Sequence, residues 1–162
     1  MYKYEPEIKV DNKIRLRQIT LDDCNAIYQY STDKDFTKYL SFIATRENTM
    51  NFINNINNDI KNHKRLYWGI EVNNKIIGTI GFLHLQKMQA EIGFGISKDY
   101  WGTGIINICL EFMINYAKDN LNIKKLIIGT NKENQRSINF IKKFYFLETH
   151  QINKDIYFQR IL

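Results

Sequence analysis

The stretch from Ala90 to Phe112, "AEIGFGISKDYWGTGIINICLEF", constrains this chain more than any other. It opens on alternation, passes a glycine-spaced turn and runs into an apolar helix. Alternation places Ile92, Phe94 and Ile96 on one face of a strand and Glu91, Gly93 and Gly95 on the other. The first face predicts core. The second sets a carboxylate beside two residues without side chains. Because glycine weakens a strand interior, that face calls either for a bulge or tight helix contact, or for a ligand lying close. The turn Trp101–Gly102–Thr103–Gly104 then leaves the first amides of a buried helix free, which suits an anionic group approached through backbone. A tight strand-to-helix turn accounts for the same glycines.

Known phosphate-cradling motifs can be tested directly. A P-loop ends in Gly-Lys-Ser/Thr, and "WGTGIINI" does not. A dinucleotide fingerprint needs a small residue where Asn107 stands and an acid about twenty positions on, where Lys124 and Lys125 stand. Both readings fail, and what remains is either a pyrophosphate held by backbone alone or a plain strand-to-helix turn.

The rest of the chain supplies the frame. An alternating strand "KIRLRQI" leads to Thr20, which caps a helix with Asp23 at the capping-box position. After the helix "LDDCNAIYQYS" comes a polar connection, "TDKDFTKYLSF". In "NFINNINNDIKNHK", Phe52, Ile53, Ile56 and Ile60 recur at helical intervals, so this asparagine-rich stretch is an amphipathic helix. The strands "LYWGIEV" and "KIIGTIGFLHL" flank Asn73 and Asn74, residues that tolerate the positive φ of a tight hairpin. Beyond the opening stretch, whose helix runs to about Asn120, follow a strand "KLIIGT", a helix "ENQRSINFIKKF" and strands "FLETH" and "DIYFQRI". This order predicts an α+β fold in which both halves share one sheet and the strand before the glycine turn lies centrally. With no internal repeat and its only proline at Pro6, the chain is expected to form one domain, residues 1–162.

Composition removes several classes of protein. Hydrophobic residues make up 44% of the 162, enough for a core, and no apolar run is long enough for a bilayer span. The amino terminus lacks the apolar centre of a signal peptide, so a cytoplasmic protein with no membrane partner is expected. Cys24 and Cys109 read as buried reduced thiols, and no metal site is expected. The net charge of +6 reflects a lysine-rich composition, without the stacking platform or groove-reading helix that nucleic-acid binding requires. It favours neutral or anionic partners over polyamines, unless a local acidic pocket reverses that.

Four stretches, "IRLRQITLDD", "YWGIEVNNKIIGTIGF", "AEIGFGISKDYWGTGI" and "TNKENQRSINFIKKFYF", together resemble the GCN5-related N-acetyltransferases (GNAT) over nearly the whole chain. The similarity is to the branch that acetylates ribosomal-protein amino termini, spermidine and some antibiotics. It implies a three-layer αβα architecture, with a mixed, mostly antiparallel sheet of about seven strands, a splayed central strand and about four helices. It also implies acetyl-CoA as co-substrate, without metal, its pantetheine beside the backbone of Phe94, Gly95 and Ile96. The pyrophosphate would meet the amides of Trp101, Gly102, Thr103, Gly104, Ile105, Ile106 and Asn107. Asn134 matches the family's cofactor-contacting Asn, and Ser137 a Ser that hydrogen-bonds or protonates the departing thiolate.

The implied reaction is direct attack of a primary amine, from a small molecule or a peptide, on the thioester. Glu91 is the candidate for orienting or deprotonating that amine, directly or through water, or else a satisfied structural carboxylate. His84 is a weaker candidate base, Tyr67 and Trp68 are candidate pocket walls or core, and Arg136, Lys142 and Lys143 could meet the 3′-phosphate or simply face solvent. The family's alternative acid, a Tyr seven residues beyond the Asn, is replaced by Ile141. Two further departures are Ile106, where the turn normally ends in Ala or Gly, and Tyr145, where Gly precedes Phe. They leave open a non-catalytic acyl-CoA-binding or regulatory module on the same fold, and the sequence leaves room for a homodimer. Ile106 is expected to point inward, continuing a core stripe with Cys109, Leu110 and Met113.

Overall fold

A computed structural model describes residues 2–162. The chain begins with β1 (Glu7–Lys9) and β2 (Ile14–Arg17), followed by α1 (Cys24–Ser31), α2 (Lys34–Thr37) and α3 (Arg46–Lys61). Three antiparallel strands follow, β3 (Leu66–Val72), β4 (Lys75–Gln86) and β5 (Gln89–Ile96). The chain closes with α4 (Ile105–Asp119), β6 (Lys125–Asn131), α5 (Gln135–Lys143), β7 (Leu147–Ile152) and β8 (Asp155–Ile161). All eight strands join one sheet in the order β1-β2-β3-β4-β5-β6-β8-β7.

The structure adds two elements to the seven strands and four helices expected. The first is β1, a three-residue edge strand straight after Pro6, too short for its alternation to register. The second is α2, a single turn inside the stretch read as a polar connection; Asp33 starts it by accepting from the amides of Asp35 and Phe36. Local chemistry sets the other boundaries as expected. The amide of Thr20 donates to Asp23 Oδ2 at 2.8 Å, and Thr45 caps α3 by accepting from Asn48 N at 3.0 Å. The hairpin between β3 and β4 turns through Asn73 and Asn74, both at positive φ.

The sheet buries both faces. On one side α4 and α5 bring Cys109, Leu110, Met113, Ile138 and Ile141 against Trp68, Ile80, Phe82 and Ile92. On the other, Ile27 of α1 and Ile53, Ile56 and Ile60 of α3 pack on Ile19, Tyr67 and Ile76. The asparagine-rich stretch thus contributes a full isoleucine stripe to the core. Tyr67 and Trp68 are core residues; the Trp68 indole donates to Glu5 O at 2.6 Å. Cys109 is buried, which pushes its thiol up to about 12, whereas Cys24 is only half-buried. Among the described residues no helix is long and apolar enough to cross a membrane.

What positions the site is a defect in the sheet. Strand β5 pairs with β4 from Gly78↔Ile96 to Gln86↔Gln89, but its parallel pairing with β6 covers only Gln89↔Lys125, Ala90↔Leu126 and Glu91↔Ile127. Beyond Glu91 the two strands part. β6 stays paired to β8 as far as Asn131, so the facing backbone edges of β5 and β6 are left to an open gap.

Candidate active site

The gap between β5 and β6 is a cleft of about 630 Å³ that reaches both faces of the sheet. From the α4 and α5 side it is lined by Trp101, Ile106, Asn107, Asn134, Arg136 and Ser137, and from the α1 and α3 side by Phe36, Tyr39, Leu40 and Glu91. Phe94, Gly95 and Ile96 supply the β5 wall, and Asp155 and Tyr157 of β8 complete the far side. One opening therefore collects residues that lie far apart in the chain.

The turn that opened the sequence argument forms one rim. Gly102 and Gly104 have φ of +75° and +83°, and a Cβ built on either would meet nothing within 4 Å. Backbone conformation demands glycine there, and the same positions face open space. Among the described residues the amides of Gly102, Gly104, Ile105, Ile106 and Asn107 find no acceptor, the first helical bond being Ile108 N to Gly104 O at 3.2 Å. Trp101 and Thr103 differ: the Trp101 amide donates to Lys98 O at 3.0 Å, and both the hydroxyl and the amide of Thr103 reach Tyr100 O, at 2.7 and 3.4 Å. Within this turn Trp101, Gly102, Ile106 and Asn107 reach the cleft wall, while Thr103, Gly104 and Ile105 stand beside it. Trp101 is fixed by its indole N–H, which donates to Ile96 O at 3.0 Å, and the Arg136 guanidinium lies over its ring at 3.1 Å from the centroid. This partial burial lowers the Arg136 pKa from its ordinary value. Lys143 also lines the cleft; Lys142 does not. Free amides, open space and two cations fit the pyrophosphate of a coenzyme A thioester.

Ile106 occupies an intermediate place. Cys109, Leu110 and Met113 are fully buried along the expected stripe, but Ile106 is only half-buried, at the end of the stripe where helix α4 meets the cleft. Tyr145 is 80% exposed, at φ +62° just beyond α5, and lies off this cleft.

Helix α5 supplies the next pair. The Asn134 side-chain oxygen accepts from Ser137 N at 3.1 Å and caps the helix, which leaves its amide N–H groups for a ligand. Ser137 is half-buried on the cleft wall, and among the described residues its hydroxyl has no hydrogen-bond partner.

On the opposite face the two glycines of β5 are explained by side chains. A Cβ on Gly93 would strike Leu83 at 2.7 Å, and one on Gly95 would touch the ring of Phe36 at 3.4 Å. Gly93 is therefore a packing glycine, whereas Gly95 admits Phe36 to the cleft wall. Phe36 is held edge-on to Tyr30, and the short helix that carries it is tied down by Lys98 Nζ to Asp35 Oδ2 at 2.5 Å. Glu91, a quarter exposed, is paired with His84 Nδ1 at 2.7 Å, and His84 itself stands 74% exposed outside the cleft.

Several cleft residues gave no sequence signal. Phe36, Tyr39 and Leu40 sit in or after the single-turn α2. Asp155 and Tyr157 lie on a strand whose neighbour could not be inferred. The Tyr157 ring covers Gly129, where a Cβ would sit 2.8 Å from it. Burial first, then the negative charges of Asp155 and Glu91, raises the Tyr157 pKa and keeps its hydroxyl protonated.

Comparison with known proteins accords with this geometry. The family described as "Acetyltransferase (GNAT) domain" matches residues 13–146, and the chain belongs to it. The uncharacterized N-acetyltransferase YoaA of Bacillus subtilis is 26% identical over 158 residues, covering 94% of this chain and 89% of its own. The uncharacterized N-acetyltransferase p20 of Bacillus licheniformis is 24% identical over 141 residues, covering 83% and 79%. Among solved structures, the microcin C7 self-immunity acetyltransferase MccE, in complex with acetyl-CoA and AMP, superposes with a TM-score of 0.84 at 21% identity over 97% of each chain. RimL, a ribosomal L7/L12 α-N-protein acetyltransferase, also reaches 0.84, at 17% identity over 96% of this chain and 94% of its own. The chain is an N-acetyltransferase whose co-substrate is acetyl-CoA.

Proposed function

We propose that this enzyme transfers the acetyl group to a primary amine, of a small molecule or a peptide amino terminus, with the two substrates entering the cleft from opposite faces of the sheet. The carrying observation is the charge polarity of that cleft. Free amides, Arg136 and Lys143 gather on the α4 and α5 side, while Glu91 and Asp155 stand across the sheet. The first set suits an anionic cofactor and the second a protonated amine, so the local acids outweigh the positive net charge in choosing the acceptor.

When bound, acetyl-CoA supplies an activated carbonyl and a thiolate leaving group. The residues then divide the work. Backbone of β5 and the α4 amides hold the cofactor, and Asn134 offers it an amide. Glu91 draws in and deprotonates the acceptor. The unpartnered Ser137 hydroxyl donates to the departing sulfur. A cytoplasmic location accords with this reading, since both cysteines are free thiols.

Thermal shift with acetyl-CoA, together with CoA release across a panel of peptide amino termini, polyamines, aminoglycosides and amino sugars, tests the proposal. At a hundred times its Kd the cofactor adds about 2.7 kcal/mol. Ser137→Ala should keep that shift while its kcat falls about tenfold or more. Full turnover in Ser137→Ala removes Ser137 from the reaction, and silence of the whole panel removes the amine.

A further inference from the structure

Strands β4 and β5 pair regularly except at one place. Phe82 faces Ile92 and Leu85 faces Ala90, so Leu83 and His84 together stand opposite the single residue Glu91. This is a β-bulge, a device that re-aims side chains beside active sites. Here it sends the two side chains to different tasks: Leu83 fills the space over Gly93, and His84 Nδ1 meets Glu91 Oε2 at 2.7 Å. Without the extra residue, strict alternation would not put both side chains beside Glu91.

The pair bridges two environments. Glu91 is on the cleft wall and a quarter exposed; His84 is off the wall and 74% exposed. We propose that His84 is a positioning residue that gives the proton leaving the acceptor amine its exit from the cleft. This inference rests on the reading of Glu91 as the base. The ammonium gives one proton to the Glu91 carboxylate and becomes the attacking amine. Glu91 passes that proton across the hydrogen bond to Nδ1 of a neutral His84 ring protonated at Nε2, and the exposed Nε2–H gives its proton to water or buffer; exchange of the exposed ring with solvent restores the Nε2–H tautomer between turnovers. The amine's second proton leaves on the CoA sulfur as the C–N bond forms and the C–S bond breaks, so one proton per turnover reaches solvent.

The neighbours of Glu91 leave His84 as its outlet. The titratable groups facing it are His84 from β4 and Asp155 and Tyr157 from β8. Asp155 shares the cleft. The Tyr157 hydroxyl, with its raised pKa, keeps its proton and cannot accept another. The His84 ring, off the cleft wall, stands in solvent whatever fills the gap.

The test is buffer rescue. In weakly buffered medium His84→Ala should lose about tenfold or more in kcat, the low end of what a positioned proton-transfer group contributes, with an unchanged KM for acetyl-CoA. Added imidazole should restore kcat in a concentration-dependent, saturable way, which loss of a structural contact would not do. Glu91→Gln should be slow at every imidazole concentration, because the inner acceptor is gone. In the ligand-free protein the ¹⁵N shift of His84 Nδ1 should move in Glu91→Ala, while those of His63 and His150 stay in place. Unaltered kcat in His84→Ala, a loss that imidazole leaves untouched, or an unmoved ¹⁵N shift each overturns the exit route. If the wild type releases CoA while His84→Ala matches it, this inference alone fails. If the wild type releases none with any amine, the acceptor reading fails and this one with it.

Discussion

The two sides of strand β5 are built on opposite terms. Toward β4 the strand is paired along its length apart from the bulge at Glu91, and beyond β4 a clasp of charges satisfies itself. Toward β6 it lets go after Glu91 and leaves backbone edges, helix amides and the Ser137 hydroxyl without partners. The closed side accounts for stability. The open side keeps unsatisfied the groups that a substrate can satisfy, which costs stability and gives binding.

The charge clasp shows how complete the closed side is. Glu71, with only 7% of its side chain exposed, takes the Arg15 guanidinium at 2.5 Å and Arg17 Nε, and Arg17 also reaches Asp23 at 2.7 Å. Burial opposes ionisation of Glu71, yet Arg17 and Arg15 together hold its carboxyl below the ordinary range. Asp23 is likewise held low, against burial, by Arg17 and Thr20. The largest effect expected is therefore Glu71→Ala. Removing one member of a buried charge group costs about 3 kcal/mol, the lower end of the range because the arginines remain partly hydrated. A denaturant midpoint matching the wild type would show that the closed side does not depend on its clasp. Because both folded-state pKa values are depressed, this contribution is complete above the unfolded carboxylate range of about 4 and is lost as pH falls through the lower folded values. Glu71→Gln should accordingly lose less stability than the wild type between neutral and strongly acidic pH.

The glycines sharpen the comparison next. On the closed side a Cβ at Gly81 would run into Leu66 O and the body of Tyr67, so space forbids a side chain. On the open side Gly104 has space and is constrained only by φ. Gly81→Ala should cost about 2 to 3 kcal/mol through overpacking, and acetyl-CoA affinity per folded molecule should be unchanged. Gly104→Ala should cost only about 1 to 2 kcal/mol of backbone strain, yet weaken acetyl-CoA binding, because its Cβ enters the space before the free amides. Denaturant melts and calorimetric titration of both variants read this directly. If Gly104→Ala bound acetyl-CoA as well as the wild type, the rim would not be a phosphate cradle.

The same contrast explains what the sequence could reveal. The Trp-Gly-x-Gly turn, the Asn73–Asn74 hairpin, the isoleucine stripe of α3 and the Thr20–Asp23 capping box were legible because each depends on local spacing. The gap itself entered only through the family resemblance, as a splayed central strand, since the register of β5 against β6 depends on strands more than thirty residues apart. The setting of Glu91 was half legible: its face follows from alternation, but its partner His84 depends on a bulge that no local pattern announces. Phe36 and Tyr157 reached the cleft unseen for the same reason. Ile106 was read as core because the stripe behind it is core, whereas the helix end leaves part of it open to the cleft.

Tyr145 supplies the smallest effect and tests whether strain on this molecule is confined to the open side. Helix α5 ends at Lys143, Phe144 follows it, and the Tyr145 amide turns back to Lys142 O at 3.1 Å with φ +62°, the left-handed position that glycine usually fills. A non-glycine residue there costs about 1 to 2 kcal/mol. Glycine gives back about 0.5 to 1 kcal/mol through the entropy of the unfolded chain. The exposed ring also contributes a contact with Arg160 at 5.9 Å, worth about 0.5 kcal/mol at a site open to water. These contributions nearly cancel, so Tyr145→Gly should raise stability by a few tenths of a kcal/mol at most, near the resolution of a denaturant melt. Since Tyr145 lies off the substrate cleft, although near Lys143 at its wall, acetyl-CoA affinity should stay within about twofold of the wild type. A clear loss of stability would show that the Arg160 contact outweighs the strain. A change in affinity well beyond that margin would mean that the end of α5 and the cleft are coupled, and that the division between the closed and open sides does not hold at this helix.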